Sequence, residues 1–185
     1  MADYHYPTVV QPNIPAADMT PLERLILDLV FDSEIENDSV YYHSWCGASD
    51  IVTLSAVDLH AAHVASRSYG DSSISKHVEA LLARYDAEAG GDPHDDIDVD
   101  LSGDDSGWHR TFQDIVRRSS AIEGIIVTTS FTCTKMLPDG FGGSVMLITV
   151  DDIRYRSTFD VLEEFWNEAD KAAAVRLPPS SEETP

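Results

Sequence analysis

The chain has 185 residues, 43% of them hydrophobic, which is enough for one packed core. Its 33 acidic residues against 12 basic ones give a net charge of −21, so its field repels nucleic acid and anionic membrane surfaces and attracts cationic partners. No stretch approaches the roughly 20 apolar residues of a membrane span, and the first residues lack the basic and apolar parts of a signal peptide, which predicts a cytoplasmic protein of one domain.

The N-terminal segment, residues 1–19, contains three prolines and no apolar period. This composition predicts an extended or disordered arm. The ordered domain is expected to begin at Thr20, because residues 20–23 combine a capping threonine, a proline at the first helical position and a glutamate three residues after the threonine. Apolar residues then recur at helical spacing, which predicts a first helix ending near Asp32.

Two strands and two helices are predicted next. Residues 39–45 are rich in residues that favour strands, and residues 50–54 are their expected partner in a first hairpin. Ser55 is in a position to cap a helix that runs to about Arg67. Ser73 is in a position to cap the helix that follows.

An acidic strand lies inside a segment dominated by glycine, proline and aspartate, residues 90–107. Within it, residues 96–101 alternate perfectly between aspartate and an apolar residue. Because alternate residues of a strand point to opposite faces, the pattern predicts a short half-buried strand with three carboxylates on its outer face.

The C-terminal part is predicted as a helix, a hairpin and a second helix. The first helix covers residues 106–119, and the hairpin pairs residues 125–136 with residues 144–150. The second helix begins near Ser157, and its apolar residues are expected to face the core. These residues are Phe159, Leu162, Phe165, Trp166 and Ala169.

The fold class that these elements predict is α+β. We expect a mostly antiparallel sheet, built from two hairpins and the short acidic strand, with about five helices packed on it. The single domain is expected to cover residues 20–172, and residues 177–185 read as a disordered tail because they are rich in proline, serine and glutamate.

No pattern of a common catalytic or metal site occurs in the sequence, since HExxH, CxxC and GxSxG are all absent. Cys46 and Cys133 lie far apart and are expected to be unpaired. His60 and His63 have the spacing of two zinc ligands on a helix, but we interpret them as ordinary surface or half-buried histidines. We therefore assign no catalytic residue, no metal and no cofactor.

Nine carboxylates fall between Asp86 and Asp105, with no lysine or arginine after Asp86 in that tract. One interpretation is a solvated edge strand that discourages pairing with other sheets. A second is a calcium loop, although Leu101 and Gly107 stand where an EF-hand needs glycine and glutamate. A third is mimicry of a nucleic acid, because outward residues of a strand are about 6.8 Å apart and form a regular row of negative charge.

Two smaller features carry alternatives of their own. Phe141, in a glycine-rich turn, is either tucked under the turn or an exposed anchor for a partner. Arg110, Arg117 and Arg118 form the one basic cluster; pairing with carboxylates of the chain is the default interpretation, and a phosphate site is the alternative.

Three segments carry a resemblance to a known group of proteins. They are FQDIVRRS at residues 112–119, FTCTKM at residues 131–136 and PDGFGG at residues 138–143. The chain resembles, over Thr20 to Asp170, a group of small, acidic, uncharacterised proteins encoded on bacterial plasmids and integrated elements. The resemblance implies a genomic setting and no chemistry. Since small acidic proteins of mobile elements often act as anti-restriction or anti-CRISPR factors, it favours an inhibitor.

The leading hypothesis is a non-enzymatic inhibitor or adaptor that occupies a basic, nucleic-acid-binding surface of a host defence complex, without binding nucleic acid or membranes itself. The residues expected to bind the partner are Asp95, Asp96, Asp98, Asp100, Asp104, Asp105 and Phe141. One alternative is a small enzyme without a recognisable motif, with its site near Tyr41, His43 and Trp45. Another is a plasmid housekeeping adaptor whose acidic surface only confers solubility.

Overall fold

The structure, a computed structural model, describes residues 3–88, 95–137 and 139–176. The strands in these ranges are β1 (Tyr4–His5), β2 (Thr8–Gln11), β3 (Ile14–Pro15), β4 (Asp32–Glu36), β5 (Ser39–Ser44), β6 (Ile51–Ser55), β7 (Asp96–Asp100), β8 (Gly124–Cys133), β9 (Phe141–Thr149) and β10 (Ile153–Ser157). The α-helices are α1 (Pro21–Val30), α2 (Ala56–Ser66), α3 (Ser73–Glu88), α4 (Trp108–Arg118) and α5 (Thr158–Arg176).

Eight of the strands form one antiparallel sheet in the order β10-β9-β8-β2-β5-β3, with β1 also paired to β8 and β4 to β5. Strands β6 and β7 form a separate antiparallel pair. With five helices beside a mostly antiparallel sheet, the predicted α+β class is confirmed. No helix in the described ranges is long and apolar enough to cross a bilayer.

The first predicted hairpin is wrong. Strand β5 pairs with β4, β2 and β3, whereas β6 pairs with β7. Strand β4 was not predicted from the sequence, because all five of its residues are exposed and it has no apolar alternation. A tight turn with Asn37 at a positive φ of 55° joins β4 to β5, and asparagine tolerates that conformation better than most residues do. The second predicted hairpin is present as β8 and β9.

The N-terminal segment is not a disordered arm. Strand β2 lies in the middle of the large sheet, between β5 and β8, and both Val10 and Ile14 are buried in the core. Pro7 and Pro12 flank β2, and Pro15 is the last residue of β3, so the prolines interrupt the pattern without preventing pairing. The ordered part therefore begins before Thr20, and the predicted tail, residues 177–185, lies outside the described residues.

Four helices are formed much as their sequences predict. Thr20 and Glu23 make both hydrogen bonds of the capping box of α1, and the Ser55 side chain caps α2. Helix α4 buries Phe112, Ile115 and Val116, and it packs against β8 and β9. One apolar core of buried residues connects these helices with both sheets.

Helix α5 contradicts its prediction. Its large apolar side chains remain between 50% and 65% exposed. They are Phe159, Leu162, Phe165 and Trp166. The helix follows the edge strand β10 and packs on β10 and β9, where α4 already covers part of the sheet. Helical periodicity shows which face is apolar, but it does not show whether another element covers that face.

Candidate functional site: an acidic face beside a cationic cleft

The aspartates of β7 form a row on the exposed side of the two-stranded sheet. Ile97 and Val99 are only 5% and 0% exposed, and they lie opposite Leu54 and Val52 of β6. Because these apolar residues face the core, the alternating residues must face solvent. We name this surface, comprising Asp95, Asp96, Asp98 and Asp100, the acidic face.

Neutral groups donate the hydrogen bonds that the acidic face accepts. The Thr53 hydroxyl donates to Asp98 over 2.6 Å, and the Tyr85 hydroxyl donates to Asp95 over 3.3 Å. The backbone N–H and hydroxyl of Ser102 both donate to Asp100, and these bonds hold the pKa of that carboxyl below its usual range. No lysine or arginine forms an ion pair with these aspartates in the described part of the chain. Arg84 lines one pocket together with Asp96 and Asp98 but forms no ion pair with either. Within the described residues, the charge of the acidic face is therefore not neutralised by an ion pair to lysine or arginine.

The other residues expected to bind a partner lie elsewhere. Asp104 and Asp105 are exposed in the segment between β7 and α4, where Asp105 lines a cleft. Phe141 is 44% exposed, so it is not tucked under its turn. It begins β9 opposite Thr132 and thus belongs to the large sheet rather than to the row on β7. The structure brings the aspartates of β7 together and places Phe141 outside that row.

The cleft has a volume of about 540 Å³ and lies between α3 and α4. It combines three cationic side chains with hydroxyl, amide and imidazole groups. Its lining residues are Ser73, Lys76, His77, Asp105, Ser106, Arg110, Gln113 and Arg117. We name it the cationic cleft, and Asp105 places it directly beside the acidic segment.

Hydrogen bonds orient the two arginines of the cationic cleft. Arg110 donates through Nε to the carbonyl of Asp104 over 2.9 Å and through Nη1 to Gln113 over 3.0 Å. Arg117 donates through Nε to the carbonyl of Val150 over 3.1 Å and through Nη1 to Asp114 over 3.2 Å. Both guanidinium groups are thus held in place by partners that leave part of each group free to bind a ligand.

The third arginine of the predicted cluster is separated from the other two. Arg118 forms an ion pair with Glu23, whose side chain is 0% exposed, and it also donates to the carbonyl of Asp18. Arg118 is exposed and paired with a carboxylate of the chain, as the default interpretation of this cluster predicts. Sequence reasoning missed Lys76 and His77, because the packing of α3 on α4 brings them to the arginines from more than 30 positions away.

The region proposed for the enzyme alternative is a face of β5. Tyr41 stacks on His43, with ring centroids 5.1 Å apart, and His43 lies 3.5 Å from Glu34. Trp45 is exposed beside His5. A cleft lined by several polar groups, the kind of site an enzyme needs, is formed by the cationic cleft on other elements.

The two histidines with zinc-ligand spacing, His60 and His63, lie in different environments. His60 lies 3.4 Å from Asp86, while burial lowers the pKa of the His63 imidazole. No group of three or more histidine, cysteine, aspartate or glutamate side chains in the described ranges could hold a metal ion. Cys46 and Cys133 are both free.

No protein-family model, curated protein or solved structure matches this chain significantly. Its function is therefore inferred from its own residues, above all from the acidic face and the cationic cleft.

Proposed function

We propose that this protein is a non-enzymatic inhibitor or adaptor whose acidic face occupies a cationic surface that another protein uses to bind nucleic acid. The observation that carries the proposal is the fixed outward direction of Asp96, Asp98 and Asp100. The burial of the intervening residues sets this direction. The geometry of the strand spaces successive carboxylates by about 6.8 Å along one line. A groove of lysines and arginines that accepts phosphates can accept such a row.

The state of these carboxylates supports the same proposal. Asp98 and Asp100 accept hydrogen bonds from neutral groups, and no lysine or arginine forms an ion pair with any of the three within the described residues, so they are available to the cations of a partner. The net charge of −21 adds long-range attraction to a cationic partner, which increases the rate of encounter.

The partner class rests on the resemblance to small acidic proteins of plasmids and integrated elements. Such elements meet defence complexes that bind DNA or RNA through cationic surfaces, so we propose a complex of this kind as the partner. The exposed aromatic residues of α5 support a protein-binding role more generally, because large apolar groups at helical spacing on a surface are typical of protein contacts.

The proposal is tested by neutralising the row without changing its shape. In the variant D96N/D98N/D100N, the asparagines at positions 98 and 100 keep an oxygen that accepts the hydrogen bonds from Thr53 and Ser102. We expect the wild type to capture a nucleic-acid-binding complex from a lysate at low salt, to lose it at high salt, and to be displaced by added DNA or RNA. The triple variant should capture much less of it.

A matched control changes the same net charge on another strand. Strand β4 carries Asp32, Glu34 and Glu36, which are also exposed and also alternate. The variant D32N/E34Q/E36Q should capture the partner nearly as well as the wild type does. Equal losses in both variants would attribute binding to overall charge, and unchanged capture by D96N/D98N/D100N would exclude the acidic face.

A further inference from the structure

We infer that the cationic cleft binds a small molecule that carries a phosphate group. On a chain with a net charge of −21, Lys76, Arg110 and Arg117 line one cleft. Lys76 also lies 3.9 Å from the exposed carboxylate of Asp71, a long contact that leaves most of its ammonium exposed. Arginine forks and a lysine ammonium are the side chains that recognise phosphate oxygens, by paired hydrogen bonds and by charge respectively. This inference concerns a different surface from the acidic face and does not depend on the proposed function.

The charge of Arg110 is the central observation. This side chain is held by the Asp104 carbonyl and the Gln113 amide, and Gln113 itself donates to the Thr149 carbonyl over 3.0 Å. No carboxylate forms an ion pair with Arg110 among the described residues. A cation that is oriented by neutral groups, in a chain with so many carboxylates, retains its full charge for an anionic ligand.

Arg117 is positioned by a second set of bonds. Its partner Asp114 is only 11% exposed, and the other oxygen of that carboxylate accepts a hydrogen bond of 2.6 Å from the backbone N–H of Ser73. Asp114 therefore divides its negative charge between Arg117 and the first residue of α3. This arrangement fixes Arg117 against α3 and neutralises it only in part.

The dimensions of the cleft define the size of the ligand. Arg110 and Arg117 are seven residues apart on α4, which places their backbones about 10.5 Å apart along one helix face. A volume of about 540 Å³ is within the usual range of small-molecule sites, about 300 to 1,000 Å³. Both values exceed what one phosphate ion fills, so the ligand extends beyond its phosphate.

Polar groups beside the cations define the rest of the ligand. Ser73 and Ser106 supply hydroxyls, and Asp105 supplies a carboxylate that accepts hydrogen bonds. The Nε2 atom of His77 is buried and has no hydrogen-bond partner within the described residues. Because Asp105 repels a purely anionic ligand, the cleft favours a molecule that pairs its phosphate with hydroxyl or amino groups, as nucleotides and sugar phosphates do.

Calorimetric titration of the full chain tests this inference. The probes are ATP, glucose 6-phosphate and inorganic phosphate, with citrate as an anion that lacks phosphate, at about 0.15 M salt, where distant carboxylates are screened. We expect ATP or glucose 6-phosphate to bind more tightly than inorganic phosphate and citrate. No binding of ATP and glucose 6-phosphate, or equal binding of citrate, would overturn the inference.

Variants locate the site. R110Q and K76Q should each weaken binding by roughly tenfold or more, as expected for losing a hydrogen bond to a charged group. R154Q is the matched control, since Arg154 is exposed on β10 and pairs with Asp152; it should bind as the wild type does. Lys76 is 70% exposed, so K76Q should fold normally and serve as the test even if R110Q destabilises the fold. The cleft would be excluded as the site if K76Q binds as tightly as the wild type and R110Q, provided that it folds, does so as well.

Discussion

Glu23 shows how one residue connects two helices. It completes the capping box of α1 by accepting from the backbone N–H of Thr20 over 2.9 Å, and it forms the ion pair with Arg118 at the end of α4. Its side chain is fully buried, and its second oxygen has no hydrogen-bond partner within the described residues. Burial raises the pKa of this carboxyl, although Thr20 and Arg118 both act to lower it.

Removing Arg118 should therefore destabilise the folded state strongly. R118A leaves the Glu23 carboxylate buried without its cation, and the free energy of unfolding should fall by about 3 to 5 kcal/mol. R154A removes an arginine from an exposed pair with Asp152 and should change the free energy of unfolding much less, because solvent screens that pair. Urea unfolding at neutral pH measures both. A similar small effect of the two substitutions would show that the buried pair is not important for stability.

The raised pKa of Glu23 gives a pH dependence of known sign. The folded state holds the Glu23 proton more tightly than the unfolded state, so the stabilisation is present below the ordinary value of 4.5 and is lost as pH rises through the raised pKa. E23Q cannot lose that proton. Its free energy of unfolding, relative to the wild type, should therefore increase with pH across this window.

Urea unfolding of E23Q and the wild type at several pH values provides this comparison. Taking the difference between the two proteins cancels the contributions of other carboxyls, including Asp100 and Asp160, whose pKa values are lowered by hydrogen bonds. A relative stability that decreases with pH would mean that Arg118 outweighs the effect of burial.

At the scale of elements, α4 and α5 differ in what covers their apolar faces. Phe112 of α4 is fully buried, while Phe165 of α5 is 61% exposed. F112A should lower the free energy of unfolding by about 3 to 5 kcal/mol, because it creates a cavity in the core. F165A should lower the free energy of unfolding by less than about 1 kcal/mol, as is usual for an exposed side chain. Thermal and urea unfolding compare them, and a large effect of F165A would show that α5 is covered in solution.

Features of the fold that depend on neighbouring residues could be predicted from the sequence, whereas those that depend on distant residues could not. Local signals were enough for the capping box of α1, the alternation of β7 and the hairpin of β8 and β9. Strand pairing over long separations was not accessible. The pairing of β2 with β8 joins residues more than 110 positions apart, and the short runs between prolines gave no sign of it.

The two candidate sites also differ in whether they depend on local sequence or on distant contacts. The row on β7 was predictable because alternation alone fixes which residues face outward. The cationic cleft was not, because Lys76 and Arg110 meet only when α3 packs against α4. Arg118 belonged to the same run of sequence as Arg117, yet its partner Glu23 lies nearly 100 positions away.

At the scale of the whole molecule, the protein carries two surfaces of opposite charge side by side. The acidic face follows the negative charge of the chain as a whole, whereas the cationic cleft opposes it. Neutralising Asp96, Asp98 and Asp100 leaves every lining residue of the cleft unchanged, and changing Lys76 leaves the acidic face intact. The two proposals can therefore be tested separately in one protein.

The most direct test of the central claim is the salt dependence of binding to a purified partner obtained by capture. We expect the affinity to fall steeply as salt is raised. D96N/D98N/D100N should both weaken binding and reduce the salt slope, while D32N/E34Q/E36Q should change both quantities much less. If D96N/D98N/D100N and the wild type have the same affinity and the same salt slope, the acidic face is not the binding surface.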